Sequence, residues 1–361
     1  MTATSDCLTW IVREKAVTRP NTDSAKSVIQ AQEQNEAVSP EERIEIAVRR
    51  DVPDRIYRGV ATAAGFTTLA LMALIGGFLL FRGASALRKA GFSFLTTEMW
   101  APDQGGDFGI GAVLPYTIQI SLVALVIAVP ISIATALFIT QYAPARIRRP
   151  LTSLIDLLAA IPSLIYGLWG LFYLQPRLIT VGKWMGDNLS WIPIFKASGP
   201  APHSLGQFAA STFVAGVVVS LMVIPLCTSV MREVFAQAPM GEQEAALALG
   251  GTKWGVIRDV VLPFGRGGII GGAMLGLGRA LGETIAVTLI ISPMFVRQFS
   301  IMEQGSNSIA ALIALKFSES NANGISALMA AGLALFLMTL LVNAIASVIV
   351  GKGRSGAQTE I

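Results

Sequence analysis

The sequence predicts an all-α polytopic membrane protein with six transmembrane helices. Three observations carry that expectation. Of 361 residues, 53% are apolar and only 14% charged, and mean hydropathy is positive. Several apolar runs approach the roughly 20 residues needed to cross a hydrocarbon core. Lys and Arg crowd into alternate loops between those runs. A soluble domain of this length rarely has so few charges, and a disordered chain would be far more polar. The net charge is +4, but no basic patch with interleaved aromatics speaks for nucleic acid, which is not expected as a partner. Cys7 and Cys227 lack metal-site spacing, and the single His203 cannot build a His-rich zinc site, so no metal and no cofactor is expected. Cys227 ends an apolar run, where it reads as a small buried hydrophobe.

Residues 1–55 form a polar extension of mixed charge. Ser39-Pro40-Glu41-Glu42 is a capping box with Pro at the first helical position, and Glu45 precedes Arg49 by four residues, a favourable intrahelical pair. The first apolar run begins near Val60, too late for a cleaved signal peptide, and reads as a retained span. The expected spans are 60–81, 115–139, 151–174, 208–230, 267–291 and 326–350. Between the first two lies "GGDFGIG", read as a flexible glycine-rich stretch without a phosphate-loop pattern. Pro130 and Pro162 fall inside spans 2 and 3, where each should kink its helix or serve packing. Trp184 and Trp191, in the linker 175–207, suit a membrane interface. The segment 292–325 reads as a loop with a short helix near 309–317.

Arg49, Arg50, Arg55 and Arg58 precede span 1; Arg146, Arg148 and Arg149 lie between spans 2 and 3. Arg232, Lys253, Arg258 and Arg266 lie around the 4–5 loop, and Lys352 and Arg354 follow span 6. The positive-inside rule puts this side, with both termini, in the cytoplasm. Six spans, an even number, agree.

The 4–5 loop, "GEQEAALALGGTKWGVIRDVVLP", reads as a short helix, a glycine break and a second helix. Gly250 and Gly251 supply the left-handed closure, Thr252 is the N-cap, and Pro263 is placed where the second helix should stop. Two small helices held beyond a bilayer make a knob suited to a partner's groove. Glu244-Ala245-Ala246, three residues, Gly250, nine residues, Val260, one residue and Leu262-Pro263 resemble the EAA loop of ABC-importer permeases, with Val260 replacing the usual Ile. The resemblance implies a coupling helix docked on a cytoplasmic ATPase. No Gly-x-x-x-x-Gly-Lys-Ser/Thr stretch occurs, so ATP hydrolysis is expected from a separate subunit and not from this chain.

Within span 5, "GRALGET" places Arg279 and Glu283 four residues apart. On a continuous helix they share a face and partly neutralise each other. An unpaired charge at a helix centre costs about 2.5–3.5 kcal/mol on translocon scales. Gly268, Gly272 and Gly276 form a small-xxx-small ladder permitting close approach of another helix. The residues leave two readings open: a packing salt bridge, or an anion site in which the Arg279 guanidinium offers its fork of donors to an oxyanion and Glu283 orients it.

"LGLGRALGETIAV", "LAAIPSLIYGLWG" at 158–170 and the EAA loop together are similar to the PstC-type permeases of bacterial phosphate ABC importers, over roughly 115–350. The resemblance implies an ABC type I importer permease fold with phosphate as substrate. It gives Arg279 and Glu283 a role in phosphate passage. It gives Glu244, Ala245, Ala246, Gly250, Leu262 and Pro263 a role in ATPase coupling. It implies as partners a second, PstA-type permease subunit, two ATP-binding subunits and a periplasmic phosphate-binding protein, in the inner membrane. The expected organisation is an N-terminal extension 1–55, a first helix and periplasmic segment 56–114, a permease core 115–351 with its coupling loop at 235–263, and a tail 352–361. A permease for sulfate or molybdate, an ATP-independent anion transporter or channel, and a phosphate sensor are the competing readings.

Overall fold

The structure, a computed structural model, describes residues 52–197, 204–291, 295, 300–305 and 307–354, with the backbone alone from 349 onward. The capping box at Ser39, the Glu45–Arg49 pair, Cys7 and His203 lie outside the described residues. The chain divides into two compact units, one ending at Phe66 and one beginning at Thr67. The described part of the first is the helical start of α1 (Val52–Ala90).

The second unit continues with α2 (Val113–Leu137), α3 (Ala145–Ala160), α4 (Ser163–Trp169), α5 (Gln175–Asn188) and α6 (Thr212–Ala236). Then come α7 (Met240–Ala248), α8 (Lys253–Val256), α9 (Leu262–Leu281), α10 (Ile285–Ile290), α11 (Ile309–Lys316) and α12 (Ala322–Arg354). Three π-helical turns are spliced in: Phe138–Tyr142 after α2, Gly170–Leu174 between α4 and α5, and Ile257–Val261 between α8 and α9. Among the described residues there is no strand, only isolated bridges, and the all-α expectation stands.

Five helices are long and apolar enough to cross a membrane, and a sixth crossing is available from the bent pair Ala145–Ala160 and Ser163–Asn188. That pair corrects the expected span 151–174. Its two arms meet at 89°, a break rather than a kink. Ile161 is extended, because the following proline disfavours helical geometry before it, and Pro162 becomes the N-cap of α4. Arg148, in the first turns of α3, donates from Nη2 to the Thr140 carbonyl at 3.2 Å, at the end of α2. Asp156, further along, lies 3.8 Å from Arg232 near the end of α6. Both contacts are at one end of the bundle, so α3 lies across the helix ends and Ser163–Asn188 makes the crossing. That arm runs back along α6, with Gly170 against Val218, and Gly182 meets Phe208 just before α6 begins.

The core is built around α6, the most enclosed spanning helix. Val214, Val218 and Val223 of α6 pack with Ile120, Ala124 and Ala128 of α2, all 0–1% exposed. On the other flank, Gly268, Gly272 and Gly276 of α9 face α6, so the helix admitted by the small-residue ladder belongs to the same chain. A Cβ on Gly268 would stand 2.6 Å from Val234, and one on Gly276 2.7 Å from both Cys227 Sγ and Val223. Cys227 is fully buried, as expected, and its thiol donates to the Gly272 carbonyl at 3.1 Å.

The "GGDFGIG" stretch is not a flexible connection. Phe108 and Ile110 are buried against α12 and α11. Ala101 and Gly109 donate their backbone N–H groups to Asp107 and Met99. A Cβ on Gly109 would meet the Thr97 and Phe94 carbonyls at 2.6 and 2.7 Å. Gly109 and Gly111 serve close packing, while Gly105, at φ +73°, supplies a left-handed turn. The short helix near 309–317 is present as α11, and its N-cap Ser308 accepts from Ala311 N at 3.2 Å.

Gly276→Ala should therefore lower the melting temperature of the detergent-solubilised protein, since overpacking a tight site costs about 1–3 kcal/mol. Gly271, one turn away, has nothing within 4 Å of its would-be Cβ. Gly271→Ala should leave the midpoint unchanged or raise it slightly, by adding helix propensity. Differential scanning fluorimetry of the two variants checks the contrast, and equal losses would refute it.

Candidate translocation and coupling sites

Span 5 is broken where its charges lie. The expected continuous helix 267–291 ends at Leu281, Gly282 and Glu283 bridge the gap, and α10 resumes at Ile285. Gly278 and Gly282 weaken the helix here, and Glu283 starts the next one. Its Oε1 accepts from the Ala286 backbone N–H at 3.3 Å, satisfying a donor that the new helix leaves free. Glu283 is accordingly 7% exposed. Arg279 sits in the last turn of α9 with its side chain exposed on the chain surface.

The shared helical face and mutual neutralisation expected for Arg279 and Glu283 are thus not found: no ion pair joins them among the described residues. The reason is the break, which turns Glu283 inward while Arg279 stays out. No hydrogen bond or ion pair among the described residues reaches the Arg279 guanidinium, and the Tyr166 hydroxyl lies within range of its charge. A guanidinium exposed on a spanning helix is too expensive to face lipid. That surface must border water or another protein.

Tyr166 brings the second quoted motif into the same site. In "IPSLIYG" its hydroxyl donates to the Leu158 carbonyl at 3.0 Å, tying α4 back across the Pro162 break to a carbonyl at the end of α3 that also accepts from Ile161 N at 3.3 Å. Gly167 lets α4 approach α10, where an added Cβ would lie 2.9 Å from Ala286 Cα. The two broken spans therefore pack on each other, with Arg279 at their rim.

A polar seam supports the gap from behind. Ser308 Oγ donates to the Glu283 carbonyl at 3.4 Å, and Asn307 Nδ2 to the Ile291 carbonyl at 3.2 Å. Ile309 N donates to Thr117 Oγ1 of α2 at 3.0 Å. Sequence reasoning missed Tyr166, Asn307, Ser308 and Thr117. The only available signal was a tyrosine four residues after a span proline; the others depend on contacts distant in sequence.

The second place of interest is the α7–α8 loop. Gly250 has φ +85°, the left-handed closure expected. Gly251 N donates to the Ala246 carbonyl at 3.0 Å, and Thr252 Oγ1 caps α8 by accepting from Gly255 N at 3.1 Å. Glu244 and Ala245 are exposed, while Ala246 is half-buried and packs on the core with Leu262. Around Glu244 and Ala245 the knob displays Met240, Leu249 and Trp254, with Leu249 91% exposed. Pro263 does not stop the second helix. The Leu262 N–H closes the π turn on Ile257, and Pro263 falls in the first turn of α9, where its missing N–H is tolerated. The result is one rod, Lys253–Leu281, of 29 residues. Arg279 near one end and the knob at the other are joined by continuous helix.

The helical bundle with its two-helix loop has the fold of an ABC type I importer permease. A solved structure of a bacterial alginate ABC transporter, in complex with its alginate-bound periplasmic protein, shares that fold. Its TM-score is 0.53 at 17% identity, covering 86% of this chain and 99% of that one. The phosphate transport system permease protein PstC 2 of Mycobacterium tuberculosis is 43% identical over 308 residues, 84% of this chain and 93% of that protein. PstC of Pasteurella multocida is 43% identical over 292 residues, 78% and 86% of the two chains. Residues 128–352 match the model of the binding-protein-dependent transport system inner membrane component family. The chain belongs to that family.

Glu283→Ala should destabilise the protein by about 0.5–2 kcal/mol, the usual loss for a helix cap. Glu283→Gln keeps an acceptor for Ala286 N and should retain most of the stability. Chemical denaturation of both in mild detergent checks the order. A Gln variant as unstable as the Ala variant would show that the carboxylate does something other than cap.

Proposed function

We propose that this chain is the permease subunit through which an ATP-driven importer carries inorganic phosphate across the inner membrane. The observation that supports this most is the exposed Arg279 guanidinium at the rim of two broken spans, in a chain whose relatives are phosphate permeases. A guanidinium supplies a planar fork of N–H donors matched to phosphate oxygens. Without a hydrogen-bond or ion-pair partner among the described residues, it offers them to a passing oxyanion. Glu283 contributes by holding the start of α10, and so the shape of the rim; this assigns it a positioning role in translocation.

By the distribution of Lys and Arg, both termini and the α7–α8 knob lie in the cytoplasm. The knob docks on one of two ATP-binding subunits through Glu244, Ala245 and its exposed apolar residues. Gly250 shapes the knob, while Ala246, Leu262 and Pro263 join it to the rod. A second permease subunit of the PstA type covers the remaining surface of the pathway, and a periplasmic phosphate-binding protein delivers the substrate. The permease core is 115–351, preceded by the extension 1–55 and the first span with its periplasmic segment, 56–114. ATP binding by the partner subunits moves the knob, and the rod carries that displacement to Arg279. Alternating access then exposes the guanidinium to one side at a time.

The test is labelled-phosphate uptake, with sulfate and molybdate as competitors, in cells lacking their own importer and expressing this chain with its neighbouring subunits. Arg279→Gln at matched membrane levels should reduce uptake roughly ten- to a hundredfold, the loss of one or two charge-assisted hydrogen bonds. Entry of sulfate or molybdate with no phosphate uptake would overturn the substrate. Equal phosphate uptake by both versions would remove Arg279 from the path.

Gly250→Val forces a β-branched residue into left-handed backbone. It should abolish ATP-dependent uptake while the protein remains in the membrane, checked by uptake and immunoblotting. Transport that survives both this change and ATP depletion would point instead to an ATP-independent carrier.

A further inference from the structure

A second cationic site lies beside the knob, away from Arg279. The π turn at the end of α2, the first half of α3, the last turns of α6 and the start of α7 enclose a cavity of about 510 Å³. Arg148, Arg232, Thr140, Thr152, Glu233 and Gln243 are among its lining residues. The Arg232 side chain is only 14% exposed. Its Nη2 lies 3.8 Å from Asp156 Oδ1 and 4.0 Å from Glu233 Oε1, both longer than a hydrogen bond. Its Nη1 is buried with no hydrogen-bond partner among the described residues. A buried charged donor in that condition is costly and calls for an acceptor.

Arg148 reaches the cavity from the other side. Its Nη2 is held by the Thr140 carbonyl at 3.2 Å and the Ala143 carbonyl at 3.5 Å, the backbone edge exposed by the π turn. That bond fixes the guanidinium and leaves its other N–H groups available. Both guanidiniums line one cavity, together with the Glu233 carboxylate and apolar side chains such as Phe235 and Met240, and the Asp156 and Glu233 carboxylates stand 3.8 and 4.0 Å from Arg232.

The roof of the cavity indicates where a ligand comes from. α3 lies across the helix ends and is strongly amphipathic. Arg146, Arg149, Ser153 and Asp156 fall on one side of its helical wheel, and Ile147, Leu151, Leu154 and Leu158 on another. Such a helix suits the plane of a membrane interface, where basic side chains meet anionic headgroups.

We propose that this cavity binds a phosphate group on the Arg148 and Arg232 guanidiniums, either free inorganic phosphate or the phosphodiester of an anionic lipid. A ligand there joins α3, α6 and the base of α7, and so steadies the knob from beneath. Its placement on the cytoplasmic side rests on the orientation proposed above; the binding itself does not.

The experiment uses the chain copurified with its neighbouring subunits in maltoside detergent, in the Arg279→Gln background, so that the pathway arginine contributes nothing. Melting temperature is followed against inorganic phosphate at constant ionic strength, and separately against phosphatidylglycerol. Saturating ligand should raise the midpoint by about 5 °C. Arg232→Gln or Arg148→Gln should abolish the shift, and Arg232→Lys should retain part of it. Arg148 is exposed and held only to backbone carbonyls, so its variant tests the site even if Arg232→Gln folds poorly. A shift with inorganic phosphate assigns the site to the free anion, and a shift with phosphatidylglycerol alone assigns it to lipid. No shift with either probe, or a shift unchanged in Arg148→Gln, overturns the proposal.

Discussion

The hydrocarbon layer offers no hydrogen bonds, so every backbone group freed where a spanning helix breaks must find a partner inside the protein. The structure breaks two spans and supplies side-chain partners from within the protein at both breaks. At Ile161–Pro162 the Tyr166 hydroxyl takes the Leu158 carbonyl. At Gly282–Thr284 the Glu283 carboxylate takes the Ala286 N–H, and Ser308 takes the Glu283 carbonyl. Irregular backbone at membrane depth is tolerated only where it is packed in protein or borders water. These two breaks are packed on each other through Gly167 and Ala286. What remains at their rim is Arg279.

That arrangement separates two residues which the primary structure sets side by side. Glu283 is buried and spends its carboxylate on helix α10, whereas Arg279 is exposed and has no such employment. A salt bridge between them would have cancelled the charge that the proposed oxyanion site needs. The break keeps the positive charge on the rim and the negative one in the packing, and both stay attached to the same few residues of chain. Charge and backbone satisfaction are thus solved by different members of one motif.

The parts of this fold legible in the sequence were those governed by long-range averages of hydropathy and by local turn chemistry. Five of the spans, the α11 helix, the Gly250 closure and the Thr252 cap follow from such patterns. The glycine ladder on α9 was legible as an invitation to close packing, though not that α6 would accept it. The breaks were not legible as breaks. Pro162 announced a disturbance, but a kink and an 89° elbow have the same local signature. The choice is made by Arg148 and Asp156 meeting α2 and α6. At 282–284 apolar neighbours on both sides concealed the gap, and part of its support, from Ser308, comes from a residue distant in sequence. Pro263 failed as a stop signal because a π turn precedes it.

In the proposed mechanism the continuous rod from Lys253 to Leu281 does most of the mechanical work. A helix of 29 residues spans about 44 Å at 1.5 Å per residue, enough to reach from beyond the membrane surface well into it. Its glycine face is seated on α6 so closely that sideways motion at the upper end must carry α6 or slide along it. The π turn at Ile257–Val261 lies between the knob and this seated part. π turns inside helices recur at functional sites, and this one is where the rod can adjust when the knob tilts. The elbow formed by α3 lies at the same end, held to α6 through Arg232. A displacement of the knob therefore acts on two structures at once: the rod that ends at Arg279, and the elbow whose far arm carries Tyr166 to the same rim.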